Sequence, residues 1–165
     1  MGSFARTDAG LRVRLSAAEM ELLRRLAREL RSLYDAEDDP VRGRLFPRAY
    51  LDPTREESER EWQALVHPEL LRDRLAALDT LLATLERATD RPSDREVILV
   101  DEEPDAWLSM LNDARLALGT RLGVTDETDL EAHRAAAGDD PEAAAYEIYG
   151  WLTWLEGDLV EMLMS

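Results

Sequence analysis

The stretch from Asp140 to Ser165 constrains the fold of this chain most. Asp140-Pro141 reads as a helix start, because aspartate is a good N-cap and proline at the first helical position loses no needed hydrogen bond. No further proline follows before the chain ends. Ala145, Ile148, Leu152, Leu155, Leu159 and Leu163 recur at the spacing of a helix, not a strand. The opposite side is only partly polar. Glu147, Asp158 and Glu161 point that way, but so do Trp151 and Trp154, and Gly150, Thr153 and Gly157 form a small-residue flank between the faces. A helix with apolar residues on more than one face is either central in its domain or covered by a partner. The expectation is a C-terminal helix at the centre of the fold, with Trp151, Trp154, Gly150 and Gly157 as candidate interface residues.

The 165 residues suit a single domain, 1–165, and a 45% hydrophobic content is enough for a core. There is no cysteine, which excludes disulfides, thiolate metal sites and thiol redox chemistry within this sequence. No run of about 18 apolar residues exists, and the N-terminus has no apolar leader, so a soluble cytoplasmic protein is expected and no membrane partner. The net charge of -16 repels nucleic acid at long range. That charge is uneven: the first 48 residues hold ten of the 20 arginines against eight carboxylates.

Along the chain, Phe4–Thr7 and Leu11–Leu15 flank Asp8-Ala9-Gly10 and read as a hairpin, with Leu11, Val13 and Leu15 inward and Arg12 and Arg14 outward. Ser16-Ala17-Ala18-Glu19 is a capping box. The helix after it has Leu22, Leu26, Leu30 and Leu33 as its expected stripe and a Glu21–Arg25 pair on its surface. Residues 42–50 read as an irregular basic segment carrying Arg42, Arg44 and Arg48. A helix then starts near Asp52-Pro53, breaks at His67-Pro68 and resumes to about Ala88 with Leu71, Leu75, Leu78, Leu82 and Leu85 as a stripe. Thr89 to Arg95 reads as a turn. Glu96–Val100 is short and β-branched, and is expected to pair with the N-terminal hairpin. The next helix opens at Asp101-Glu102-Glu103-Pro104 with Trp107, Leu111, Ala114, Leu118 and Leu122 inward, and Gly123 ends it. On its flank, Arg115 is a candidate buried polar pair with Glu156. Residues 126–137 suggest one short acidic helical piece. The fold class is therefore α+β and mainly α: a helical bundle around the C-terminal helix with a small antiparallel sheet.

Catalytic motifs are missing. There is no G-x-S-x-G, phosphate-binding glycine loop or H-E-x-x-H. Asp129, Glu131 and His133 do not share a helix face, so a metal site is not expected there. Neither an enzyme nor a cofactor is expected. The basic N-terminal third leaves one alternative open, direct contact with nucleic acid or an acidic partner through Arg12, Arg14, Arg42, Arg44 and Arg48.

Three segments together carry a family likeness: Arg44-Leu45-Phe46-Pro47-Arg48-Ala49-Tyr50, Trp107 with Leu111–Gly119, and Tyr149-Gly150-Trp151-Leu152-Thr153. Over nearly the whole chain the sequence resembles the AosR-like family of actinobacteria, long described as a domain of unknown function. The resemblance implies an intracellular, non-enzymatic transcriptional regulator of the oxidative-stress type. It would act through protein contacts with a sigma factor or another transcription component; the Trp151 and Trp154 face of the last helix separately leaves a homodimer open. It also implies, as an alternative, a role accessory to the Clp protease. Some relatives use a cysteine pair as a redox switch; this sequence has none, so that switch cannot operate in it.

Overall fold

The computed structural model describes residues 2–36, 38–125, 132, 138 and 141–165. The expected helix start at Asp140 and nearly all of the piece expected over 126–137, with Asp129, Glu131 and His133, lie outside the described residues. The N-terminal hairpin is β1 (Phe4–Thr7) and β2 (Gly10–Leu15). Its turn needs Gly10, whose φ is +143° and whose added Cβ would fall 2.4 Å from the Leu99 carbonyl oxygen. β2 pairs antiparallel with β4 (Arg95–Leu99), as expected, placing Val13 opposite Val97 and Arg14 opposite Glu96. The segment read as a turn contains a further short strand, β3 (Thr89–Asp90), which pairs with the start of β4 and completes the order β1-β2-β4-β3. Phe4, Leu11, Val13, Leu15, Val97 and Leu99 are buried on the inner face.

Helix α1 (Ala17–Tyr34) begins at the expected capping box, with Ser16 Oγ accepting from the Glu19 N–H at 3.0 Å and Glu19 reaching back to the Ser16 N–H at 2.8 Å. Its buried stripe is rotated from the expected one: Met20, Leu23, Ala27, Leu30, Leu33 and Tyr34 are inside, whereas Leu22 and Leu26 are only half-buried. Both stripes have helical period, and tertiary packing chose the one containing the small Ala27 and the two-sided Tyr34. Glu21 pairs with Arg24, three residues on, and not with Arg25.

Two irregularities read from the sequence are helical in the structure. Pro40–Leu45 forms a short helix, α2, capped by Asp39. Helix α3 (Glu56–Glu86) follows a 3₁₀ turn at Pro53–Arg55 and runs through His67-Pro68 without a break. Proline in a helix costs one backbone hydrogen bond, to the carbonyl four residues back; here that carbonyl belongs to the exposed Ala64, where water can replace the donor.

Helix α4 (Glu103–Leu122) ends at Gly123, whose φ is +71°. It packs against α1, α2, α3 and the last helix, α5 (Pro141–Met164). The mainly helical α+β architecture is thus as read from the sequence, but the position at the centre belongs to α4. Trp107 is 0% exposed, meets Phe4 of the sheet edge-on at 6.1 Å, and donates from Nε1 to Thr84 Oγ1 of α3 at 2.9 Å. Sheet and bundle are therefore locked through one indole. Helix α5 lies against α4 and β1, with Leu152, Leu155 and Leu159 all fully buried. Asp158 accepts from the Phe4 N–H at 3.1 Å, and the Arg6 guanidinium donates to the Met162 carbonyl at 2.6 Å. These contacts cover the edge of β1 and tie the two ends of the chain together.

Candidate functional site

The outward face of α5 is acidic and carries one aromatic. From Pro141 to Ser165 there are five side-chain carboxylates and no arginine; Asp158 is turned to β1 and Glu156 to Arg115, which leaves Glu142, Glu147 and Glu161 exposed. Glu147 and Glu161 are exposed on the same side as Trp154, which is 49% exposed. Gly150 and Gly157 lie beside Trp154, and a Cβ added at either would meet nothing within 4 Å. Helix backbone is thus bare on both sides of an exposed indole. The two tryptophans read as equivalent in the sequence differ here. Trp151 is half-buried, packs against the core, and its buried Nε1–H has no hydrogen-bond partner. Only Trp154 faces outward. On the opposite flank Arg115 and Glu156 lie together, with Nε 2.7 Å from Oε2, as an ion pair in which the Nε–H makes no aligned hydrogen bond.

The five arginines considered for nucleic acid are dispersed and largely engaged. Arg14 bonds Glu96 across the outer face of the sheet at 2.7 Å. This bond, with the Arg14 charge and the further charges of Arg91 and Arg12, holds the Glu96 carboxyl below its ordinary pKa against partial desolvation. Arg42 donates from Nε to the Tyr34 carbonyl at 2.8 Å, contacts His67 Nε2 at 2.9 Å and lies over the Phe46 ring. Arg48 pairs with Glu56. Arg44 is exposed and makes no ion pair with a described residue, and Arg12 makes none either.

Two carboxylates that sequence reasoning passed over are the most buried among the described residues. Asp113, 1% exposed, accepts from the Tyr34 hydroxyl and from Arg74 Nη1, at 2.6 Å to each oxygen. A buried carboxylate is tolerated when its lone pairs are met this way. Burial, then the Asp113 charge and hydrogen bond, push the Tyr34 hydroxyl far above its ordinary pKa, so it stays protonated as a donor. Arg74 and Arg42 both lie over Phe46, which meets Tyr34 edge-on at 5.6 Å and His67 at 4.9 Å. The cluster fastens α1, α2, α3 and α4 together. Its carboxylate is saturated by donors, so its chemistry is that of a clamp. One signal could have found it: Asp113 stands three residues after Met110 and four before Ala117, on the buried face of α4. The second is Glu59, 5% exposed, which accepts from the Ala49 and Tyr50 N–H groups at 3.1 and 2.9 Å and pins the loop before α3.

Among the described residues no group of three or more His, Asp and Glu is placed to hold a metal ion, and no helix is long and apolar enough to cross a membrane. Fold and surface together define a mainly helical α+β domain whose buried charges are structural and whose outer helix face is acidic and tipped by tryptophan. The chain belongs to the family described as Domain of unknown function (DUF2017), whose model matches residues 1–163. It is similar to a Putative oxidative stress regulator AosR of Mycobacterium leprae, 32% identical over 139 residues, covering 78% of this chain and 60% of that protein. The Oxidative stress regulator AosR of Mycobacterium bovis and that of Mycobacterium tuberculosis H37Rv are each 31% identical over 138 residues, 77% of this chain and 59% of theirs. The match therefore spans about three fifths of the length of these relatives. No solved structure matches the chain.

Proposed function

We propose that this chain is a non-enzymatic regulator of the oxidative-stress type that acts inside the cell through protein–protein contacts, without a thiol switch of its own. The observation that carries the reading is the exposed Trp154 between two open glycines on a helix bearing carboxylates and no arginine. Tryptophan in such a setting is a typical anchor of an interface, and the surrounding charge selects a basic partner surface. The names of the relatives support the regulatory half, and the family likeness points to a sigma factor or another transcription component as the partner. Direct DNA binding has less support: three of its five arginines are already held by groups of the chain itself, and the overall charge opposes it.

The test is Trp154→Glu. The substitution removes exposed apolar surface and adds a charge to solvent, so helicity and melting temperature should stay within a degree or two of the parent. Capture of sigma factor or polymerase subunits from a peroxide-treated actinobacterial lysate should fall at least tenfold. Undiminished capture by the variant, or a parent that instead shifts promoter DNA with a steep salt dependence, overturns the reading.

A further inference from the structure

A second surface, on α3, is left uncovered by the described residues. This helix is 31 residues long, about 46 Å. Its buried apolar residues, Leu78, Leu81 and Leu85, all fall in the second half, and in the first half only Glu59 is buried. The outer side of that first half presents Leu65, 78% exposed. One turn further on, the same side opens into a groove lined by Pro68, Leu71, Arg72, Leu75, Ala76 and Asp79. A protruding leucine and an apolar groove on adjacent turns of one face are complementary to themselves under a two-fold rotation. Two copies laid antiparallel would each place Leu65 between Pro68, Leu71 and Leu75 of the other, as knobs enter holes in helix pairs. Such a contact is isologous and closes on itself.

The charges favour the same occupant. Glu61 lies one turn before Leu65 and Arg72 lies in the groove; both are exposed and neither makes an ion pair with a described residue. In the antiparallel arrangement Glu61 of each copy comes within a helical turn of Arg72 of the other, twice by symmetry. A parallel pairing would set Glu61 against Glu61. We propose that the Glu61–Leu75 face of α3 is the interface of an antiparallel homodimer, separate from the α5 face and independent of the regulatory reading.

Sedimentation or light scattering over a concentration series tests it. The parent should go from monomer to dimer. Leu65→Glu should abolish the dimer at every concentration with the melting temperature of the dilute monomer unchanged, and the milder Leu65→Ser should weaken it in the same direction. Glu61→Arg and Arg72→Glu should each raise the dimer dissociation constant about tenfold, and the double variant should restore it to within about threefold. A parent that is monomeric up to millimolar concentration overturns the proposal. So does a dimer indifferent to Leu65→Glu, a double variant no tighter than the single ones, or loss of helicity in both Leu65 variants, which would make Leu65 part of the chain's own fold.

Discussion

Helix α5 and the first half of α3 are both leucine-bearing, both long, and both acid-rich, yet they end in opposite situations. Leu152, Leu155 and Leu159 of α5 are completely buried, while Leu65 of α3 is 78% exposed. The cause lies in what surrounds each. Helix α5 has α4 beneath it and β1 beside it, and side-chain bonds from Asp158 and Arg6 hold it to that strand. The first half of α3 is held by the Glu59 bonds to one loop and by the tilted contact of the His67 ring with Phe46. Helical period decides that a segment is a helix; it does not decide how much of its apolar face the rest of the chain can cover. What is left uncovered in the two places differs in kind: an indole among carboxylates on α5, a leucine beside a groove on α3.

The largest expected effect separates the two regions by stability. Leu155→Ala opens a cavity under α5 and should cost about 2–5 kcal/mol. Leu65→Ala removes atoms already in water and should change the stability of the dilute monomer by less than about 0.5 kcal/mol. Urea denaturation with equal slopes for both variants measures the difference. Comparable costs would break the contrast and place Leu65 in a packed environment.

Acid should act on the carboxylate anchors Glu59, Glu103 and Glu96 before it acts on the buried leucines of α5. The Glu59 carboxyl is held below its ordinary value of 4.5, chiefly by the Gln63 side-chain hydrogen bond, with the Tyr50 N–H, Arg48 and Ala49 N–H acting in the same direction against desolvation. A depressed folded pKa means that the stabilisation is complete above the ordinary carboxylate pKa and is lost as pH falls through it and below. Glu103, lowered mainly by Arg87, and Glu96, lowered mainly by Arg14, have the same sign. Below about pH 4.5, then, the Ala49 and Tyr50 amides should lose hydrogen-exchange protection while those of residues 152–159 keep it. Simultaneous loss at both places would mean that the loop anchor is not a separate unit.

Most of the framework was legible in the sequence because it rests on local chemistry. The Ser16–Glu19 capping box, the alternation of Leu11, Val13 and Leu15, the β-branched Val97 and Ile98, and the stop at Gly123 each act within a few residues. The misreadings arose where distant packing decided. Pro68 looked like a break because a proline costs a hydrogen bond, and nothing local showed that the orphaned carbonyl would face water. The choice between two leucine stripes on α1 depended on what packs against it. Of the residues singled out for function, Arg115 and Glu156 stand together on the flank of α4 and α5, and Trp154 stands apart from Trp151. The Asp113 clamp joins residues up to 79 positions apart, so no short window contains it.

The smallest effect is the most discriminating, because it concerns single methyl groups on the two sides of the α4–α5 pair. Glycine inside a helix is less favourable than alanine by about 0.5–1 kcal/mol. At Gly157 an added Cβ meets nothing within 4 Å, so Gly157→Ala should stabilise the chain by about that amount. At Gly119, on α4, the same atom would lie 2.8 Å from Cε2 of Tyr149, and the ring must shift to admit it. Gly119→Ala should therefore forfeit the helical gain or lower the melting temperature. If the bare backbone at Gly157 serves a partner that approaches Trp154 closely, Gly157→Ala should raise stability and weaken partner capture in the same protein. A gain in stability with capture unchanged would leave Trp154 as an anchor but remove close backbone approach from the contact.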